Sequence, residues 1–302
     1  MSTIAPDQVL ALDAAAIRRR RELRQPSARS LLLTVLGEYV LPGGEAAWTS
    51  TLVRVLALLG VAEKTARQAL ARTAAEGWIS SRRHGRLAQW ELTEAGRRLL
   101  TEGAHRIYTF GQEGQEWDGR WLVLLTSPTP QTGRDDRQRV RTQLTWAGFG
   151  ALPGGVWVCP DPRREQEASR ILDEAGLAGK AMSFIASYGA IGTPADVVAL
   201  AWDLQAVEAR YEQFIGTFAP LRPAGDAQTL TAQTLLVHEW RRFPFLDPRL
   251  PSDLLPPGWL GAEAAGLFAA RHARWRESAG RCWASLSTVP AVRAGPPDAR
   301  CR

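Results

Sequence analysis

Apolar positions between residues 27 and 76 keep helical spacing three times, and between 78 and 92 they switch to alternation. Leu31, Leu32, Val35 and Leu36 predict a helix from a Ser27 cap to about Tyr39, which Pro42-Gly43-Gly44 breaks. Behind Trp48 and a Thr49-Ser50 cap, Leu52, Val55, Leu56 and Leu59 mark one face of a second helix ending at Gly60. A third helix runs from about Glu63 to Glu76 and is stopped by Gly77. Two helices joined by a short turn that contains Gly form the helix-turn-helix pattern. Trp78–Arg82 then reads as a strand, Arg83-His84-Gly85-Arg86 as a turn, and Leu87–Leu92 as a returning strand. Thr93 caps the next helix. Three helices, a hairpin and a helix, in that order, predict a winged helix.

Further along, WDGRWLVLL at 117–125 turns into a strand, and Arg134–Trp146 is helical with Val140, Leu144 and Ala147 on one face. Phe149–Cys159 is extended, Gln166–Ala175 helical, and Ala181–Ser187 an apolar strand. This β-α-β-(β)-α-β order predicts a ferredoxin-like domain. The last third predicts helices over Leu204–Phe218, Ala227–Phe243 and Ala262 to about Trp283. PFLDPRLPSDLLPPGWLG, between the second and third of these, is too rich in proline for an element and reads as an ordered loop. Its apolar anchors are Phe245, Leu250, Leu254, Leu255 and Trp259. The expected architecture is α+β: a basic arm (1–25, with Arg18 to Arg21), a winged helix-turn-helix (26–112), a ferredoxin-like domain serving dimerisation or linkage (113–200), a mainly α-helical effector domain (201–285) and a tail (286–302).

Charge adds a direction to this plan. The chain of 302 residues carries a formal net charge of +6. Residues 1–110 hold 16 Lys/Arg against 10 Asp/Glu, whereas residues 111–302 hold 21 of each, so the excess lies in the first third. A polyanion is the natural partner for that third, because neutralising phosphates releases counterions. The third helix divides to match. Ala66, Ala69, Leu70 and Thr73 make a narrow inner face, and Lys64, Arg67, Gln68 and Arg72 face outward, with Thr65 a further candidate DNA contact. Arg bonds guanine bidentately and Gln adenine, while Lys and Arg also hold phosphates. The hairpin supplies Arg82, Arg83, His84 and Arg86, suited to clamping a backbone or entering a minor groove. No stretch of about 18 apolar residues offers a membrane span. Cys159, Cys282 and Cys301 fit neither a zinc spacing nor an even disulfide set, so a cytoplasmic protein without a metal or cofactor is expected.

Several segments resemble the PaaX family, bacterial repressors of phenylacetic acid degradation genes. SLLLTVLGEYVLPGGEAAWTSTLVRVLALLGVAEKTARQALARTAAEGWISSRRHGR is similar to the family's winged-helix domain. GQEWDGRWLVLL and WAGFGALPGGVWVCP resemble its central Cas2-like domain, and LLVHEWRRFPFLDPRLPSDLLPPGWLG its C-terminal signature. Leu246 departs from that signature, which usually has a basic residue before Asp-Pro. The resemblance implies a cytoplasmic homodimer that binds an inverted-repeat operator in double-stranded DNA and is released by an acyl-CoA effector such as phenylacetyl-CoA. A CoA thioester needs cations for its phosphates and an apolar slot, for which His238, Arg241, Arg242, Arg249 and Trp259 are the candidates. The Cas2-like likeness also raises a metal-dependent nuclease, and a small-molecule enzyme using the winged helix only to dock is a further alternative. A nuclease of this type is expected to carry a carboxylate at the end of the first central strand. Here that end reads Leu125-Thr126-Ser127-Pro128, and Asp118 lies before the strand, so no catalytic residue is assigned.

Overall fold

A computed structural model describes residues 26–111, 116–126 and 134–288, excluding the side chains of 134–136. The predicted basic arm, and the tail beyond residue 288, lie outside the described residues. The chain forms two compact units. Of the described residues, one takes 26–104, 222–235 and 272–288; the other takes those within 105–221 and 236–271.

In the first unit, α1 spans Ala28–Val35 and continues as a π-helical turn over Leu36–Val40. Ser27 caps it as predicted, its hydroxyl accepting from the Ser30 amide at 3.2 Å. α2 is Thr49–Leu58 and α3 is Glu63–Ala75. β2 (Ile79–His84) and β3 (Leu87–Leu92) form the hairpin, with register from Ile79↔Leu92 to His84↔Leu87. Its loop is therefore only Gly85-Arg86, with φ +60 at Gly85, as a tight hairpin turn of type II′ requires. The sequence reading had missed β1, Ala47–Trp48, which pairs with β3. The expected Thr49-Ser50 cap is not made. The Thr49 hydroxyl instead donates to the Ala88 carbonyl at 3.0 Å and accepts from the Trp90 indole at 2.9 Å, tying α2 to the hairpin. α4 (Glu94–Thr109) starts on the predicted Thr93 cap, with the Gly96 amide 3.1 Å from the hydroxyl. Gly96 lies so close to the Trp78 carbonyl that a Cβ there would sit 1.9 Å from its oxygen.

The core of this unit joins α1, α2 and α3 to residues far along the chain. Leu230, Ala279 and Cys282 are buried in the same cluster as Leu32, Val55 and Leu70. Tyr39 stacks on Trp283 with ring centroids 5.2 Å apart, and its hydroxyl meets that of Thr234 at 3.1 Å. The buried Glu38 carboxylate accepts from the Gln233 amide and contacts His272 Nε2, each at 2.7 Å.

The second unit holds a four-stranded antiparallel sheet of β4 (Arg120–Thr126), β5 (Gly150–Leu152), β6 (Val156–Cys159) and β7 (Ala181–Ser187). The strand order β5-β6-β4-β7 is the ferredoxin-like order the sequence predicted. On one face, α5 (Arg134–Trp146) and α6 (Glu165–Glu174) bury Val140, Leu144, Ala168 and Leu172 against Leu122 and Leu124. The other face packs Trp121 and Val158 against Val198, Leu204, Leu250 and Leu254. Val198 belongs to α7 (Pro194–Ala201), a helix absent from the sequence reading, and Leu204 to α8 (Leu204–Phe218), which has the predicted bounds.

α9 spans Asp226–Trp240, not Ala227–Phe243, and α11 spans Gly261–Ser287. The Pro-rich stretch between them is not all loop. Phe243–Leu246 forms a short helix, α10, with Pro244 in its first turn, where proline's missing N–H is harmless. Leu250 and Leu254 are buried anchors as expected; Phe245 is not, being 37% exposed.

Candidate nucleic-acid interface

α3 is built as the sequence predicted. Ala66, Ala69, Leu70 and Thr73 are buried, and Lys64, Thr65, Arg67, Gln68 and Arg72 are all exposed. Small inner residues bring the helix close to α1 and α2 and leave the long side chains outside. No side chain caps its start at Ala62. Arg67 forms an exposed i,i+4 ion pair with Glu63 at 2.8 Å, worth only about 0.3–0.5 kcal/mol and readily exchanged for a stronger partner. The side chains of Lys64, Gln68 and Arg72 form no hydrogen bond or ion pair among the described residues.

The hairpin presents Arg82, Arg83, His84 and Arg86, all exposed. Arg82 reaches Glu91 on the neighbouring strand at 3.4 Å. Trp48 on β1 meets the His84 ring edge-on at 5.6 Å. This contact braces the hairpin tip, and the sequence reading did not foresee it because β1 is only two residues long. The geometry offers two cationic elements, a helix and a two-stranded hairpin, in one unit.

The effector candidates fall into two groups in the second unit. His238, Arg241 and Arg242 lie at the end of α9. His238 is buried, and desolvation together with the two arginines pushes its pKa down to about 3, so its ring is neutral. Desolvation also lowers Arg241, and Arg242 pairs with Glu239 at 3.3 Å. Arg249 and Trp259 belong to the loop beyond α10. Trp259 is half-buried, edge-on to Tyr211 at 5.7 Å. The Asp247 carboxylate accepts from the Tyr211 hydroxyl and from the Arg249 amide, each at 2.6 Å. Burial pushes the Asp247 carboxyl above its ordinary range, against the pull of those two bonds. Arg249 itself has φ +57, the one positive φ outside glycine among the described residues. A left-handed conformation costs a non-glycine residue roughly 1–2 kcal/mol, and such strain concentrates where function needs it.

Arg164 and Arg106 act on Arg249 as like charges, Arg106 lies over the Phe245 ring, and Phe245 meets Trp146 edge-on. Arg106, Arg164 and Trp146 come from segments far from Arg249 in sequence, so no local signal joins them to it. Asp118 bonds the Arg120 amide at 3.0 Å and pairs with its guanidinium at 2.6 Å, which holds its carboxyl below the ordinary range. Among the described residues no group of three or more His, Cys, Asp or Glu could hold a metal ion, and no helix is long and apolar enough to cross a membrane.

Comparison with known proteins covers most of the chain. The model of the PaaX-like protein family matches residues 27–96, that of the PaaX protein central Cas2-like domain residues 114–198, and that of the PaaX-like protein C-terminal domain residues 202–285. The transcriptional repressor PaaX of Escherichia coli is 34% identical over 252 residues, which is 80% of this chain and 78% of that protein. A solved structure, the uncharacterized protein Rv0674 from Mycobacterium tuberculosis, shares the fold with a TM-score of 0.59 and 24% identity, over 86% of this chain and 98% of that one. With all three family models in chain order and a repressor matched along four-fifths of its length, this chain belongs to the PaaX family.

Proposed function

We propose that the protein is a cytoplasmic, homodimeric transcriptional repressor of an aromatic-acid catabolic operon such as that for phenylacetate. It binds an inverted-repeat operator and is released by an acyl-CoA effector such as phenylacetyl-CoA. The observation that carries this reading is α3, whose small inner residues are buried while Lys64, Thr65, Arg67, Gln68 and Arg72 stand exposed along its outer side. In this reading the first unit is a winged helix, with α3 lying in the major groove. Arg67, Gln68 and Arg72 read base edges, and Lys64, Arg82, Arg83, His84 and Arg86 hold the backbone. The curated relative, a transcriptional repressor, supports a binding role and no catalytic step.

Pairing of two chains is supported by β7. It is an edge strand, and Met182 and Phe184 on one face and Ile185 on the other are exposed. An unprotected apolar edge is a ready template for a second copy of itself. The effector releases DNA only as far as it binds the released arrangement more tightly than the DNA-bound one. Replacing Arg67 by Ala weakens specific binding by roughly 1–3 kcal/mol and relaxes base preference at one operator position. A gel-shift series against single-base operator variants checks this, and unchanged affinity and preference contradict it.

A further inference from the structure

We propose that Arg106, Arg164 and Arg249, with the aromatic pair Trp146 and Phe245, form the seat of a phosphorylated acyl thioester. The guanidiniums take the phosphates, and the two rings take the flat apolar group. This rests on the acyl-CoA reading above and extends it from Arg249, already a candidate, to Arg106, Arg164, Trp146 and Phe245.

The cations come first. The Arg249 guanidinium has no hydrogen bond or ion pair among the described residues, and the same holds for Arg106. Arg164 is a fixed cation, 17% exposed, donating to the Ala147 carbonyl at 2.7 Å and facing Glu167 at 3.4 Å and Asp161 at 3.7 Å. Burial, with Arg164 and Arg106 as like charges, depresses the Arg249 pKa, while Glu167 and Asp247 act on it in the opposite sense. Two guanidiniums that make no hydrogen bond or ion pair among the described residues, with the Arg164 cation acting on Arg249 beside the carboxylates of Glu167 and Asp247, leave donors for an anion. The loop is held in this arrangement from behind, because buried Asp247 grips the Arg249 amide and fixes the left-handed turn.

The apolar part lies next to it. Trp146 ends α5 and is 53% exposed; Phe245 of α10 meets it edge-on at 5.5 Å. The Arg106 guanidinium lies over the Phe245 ring, 5.0 Å from its centre. One ring thus touches both a cation and the second ring, so a molecule lying along Phe245 meets charge at one end and an open aromatic shelf at the other. Single-stranded nucleic acid also joins phosphate to flat rings. It is disfavoured because residues 111–302 carry balanced charge and offer no wide positive field for a strand to follow.

The test is calorimetric titration of the full chain with phenylacetyl-CoA, with CoA alone and with a short single-stranded oligonucleotide. Wild type binds the thioester more tightly than CoA. Arg249→Gln and Arg106→Gln each weaken both ligands about tenfold or more, since a charge-assisted bond is lost in either case. Trp146→Ala weakens the thioester but not CoA, which erases the difference between them. Thermal melting of the unliganded variants checks folding, and if Arg249→Gln fails to fold, the exposed Arg106 variant carries the test. If wild type binds the thioester and all three variants bind it equally well, the seat is overturned while the acyl-CoA reading stands. If wild type binds neither thioester nor CoA, both fall. Oligonucleotide binding that is lost in Arg249→Gln, with no thioester binding, overturns the ligand assignment.

Discussion

His238 has its ring buried in α9 beside two arginines, and its pKa of about 3 lies far below that of the unfolded chain, roughly 6.5. A group whose folded pKa is depressed contributes stability above its unfolded pKa and loses it as the pH falls. Between about pH 6.5 and 3 the unfolded chain takes up a proton that the folded chain refuses. Each pH unit in that window therefore removes up to about 1.4 kcal/mol. Urea unfolding at pH 7.5, 6 and 5 shows stability falling with acidification, and His238→Gln flattens that fall; equal slopes in the two proteins contradict the assignment. The residue scale also marks how far sequence reading reaches. The outward set on α3 was legible because helical periodicity fixes which side chains are buried. The Thr49 hydroxyl was not, since its partners Ala88 and Trp90 are about 40 residues away and outcompete a local cap. Phe245 read as a core anchor because it is large and apolar, yet its neighbours are Arg106 and Trp146, both exposed.

The β2–β3 hairpin, the wing of the proposed reading, is the element whose contribution is most separable. Arg83 and Arg86 stand at the tip of a hairpin with a two-residue loop, and neither has an ion-pair partner among the described residues. Replacing both by Ala leaves base preference intact and lowers the slope of log K against log salt by about 2, one phosphate contact for each residue. Operator titrations from low to moderate salt read this directly, and an unchanged slope removes the wing from the interface. Other elements were hard to read for identifiable reasons. β1 is too short to show alternation. α9 is nearly all buried, yet its stretch TLTAQT reads as a polar surface. Thr229, Thr231 and Thr234 donate to the carbonyls of Gly225, Ala227 and Leu230, four residues back, so their hydroxyls enter the interior already bonded. α7 starts on a capping box of Thr193 and Asp196 around Pro194, a signal that TPAD carries in the sequence.

At the scale of the whole molecule, the unit that carries α3 and the wing is not a contiguous stretch. Tyr39 reaches Thr234 across 195 residues, and Glu38 reaches His272 across 234. Periodicity gives elements and faces but not such distant pairings, which depend on burying Leu230, Ala279 and Cys282 in a core begun by α1 to α3. The ferredoxin-like sheet was legible because the β-α-β-β-α-β order of its elements is a recurring pattern, even though β4 pairs with β6 and β7 across crossovers. The account stands on a cationic helix and wing reading duplex DNA in pairs. Its most direct test is to select duplexes from a random library with the full chain, then titrate the enriched sequence by fluorescence anisotropy with wild type and with Lys64, Arg67 and Arg72 all changed to Ala. The account predicts an enriched inverted repeat bound by two chains, tightly by wild type and without selectivity by the triple variant. Failure of wild type to enrich any sequence, or equal selective binding by the triple variant, contradicts it.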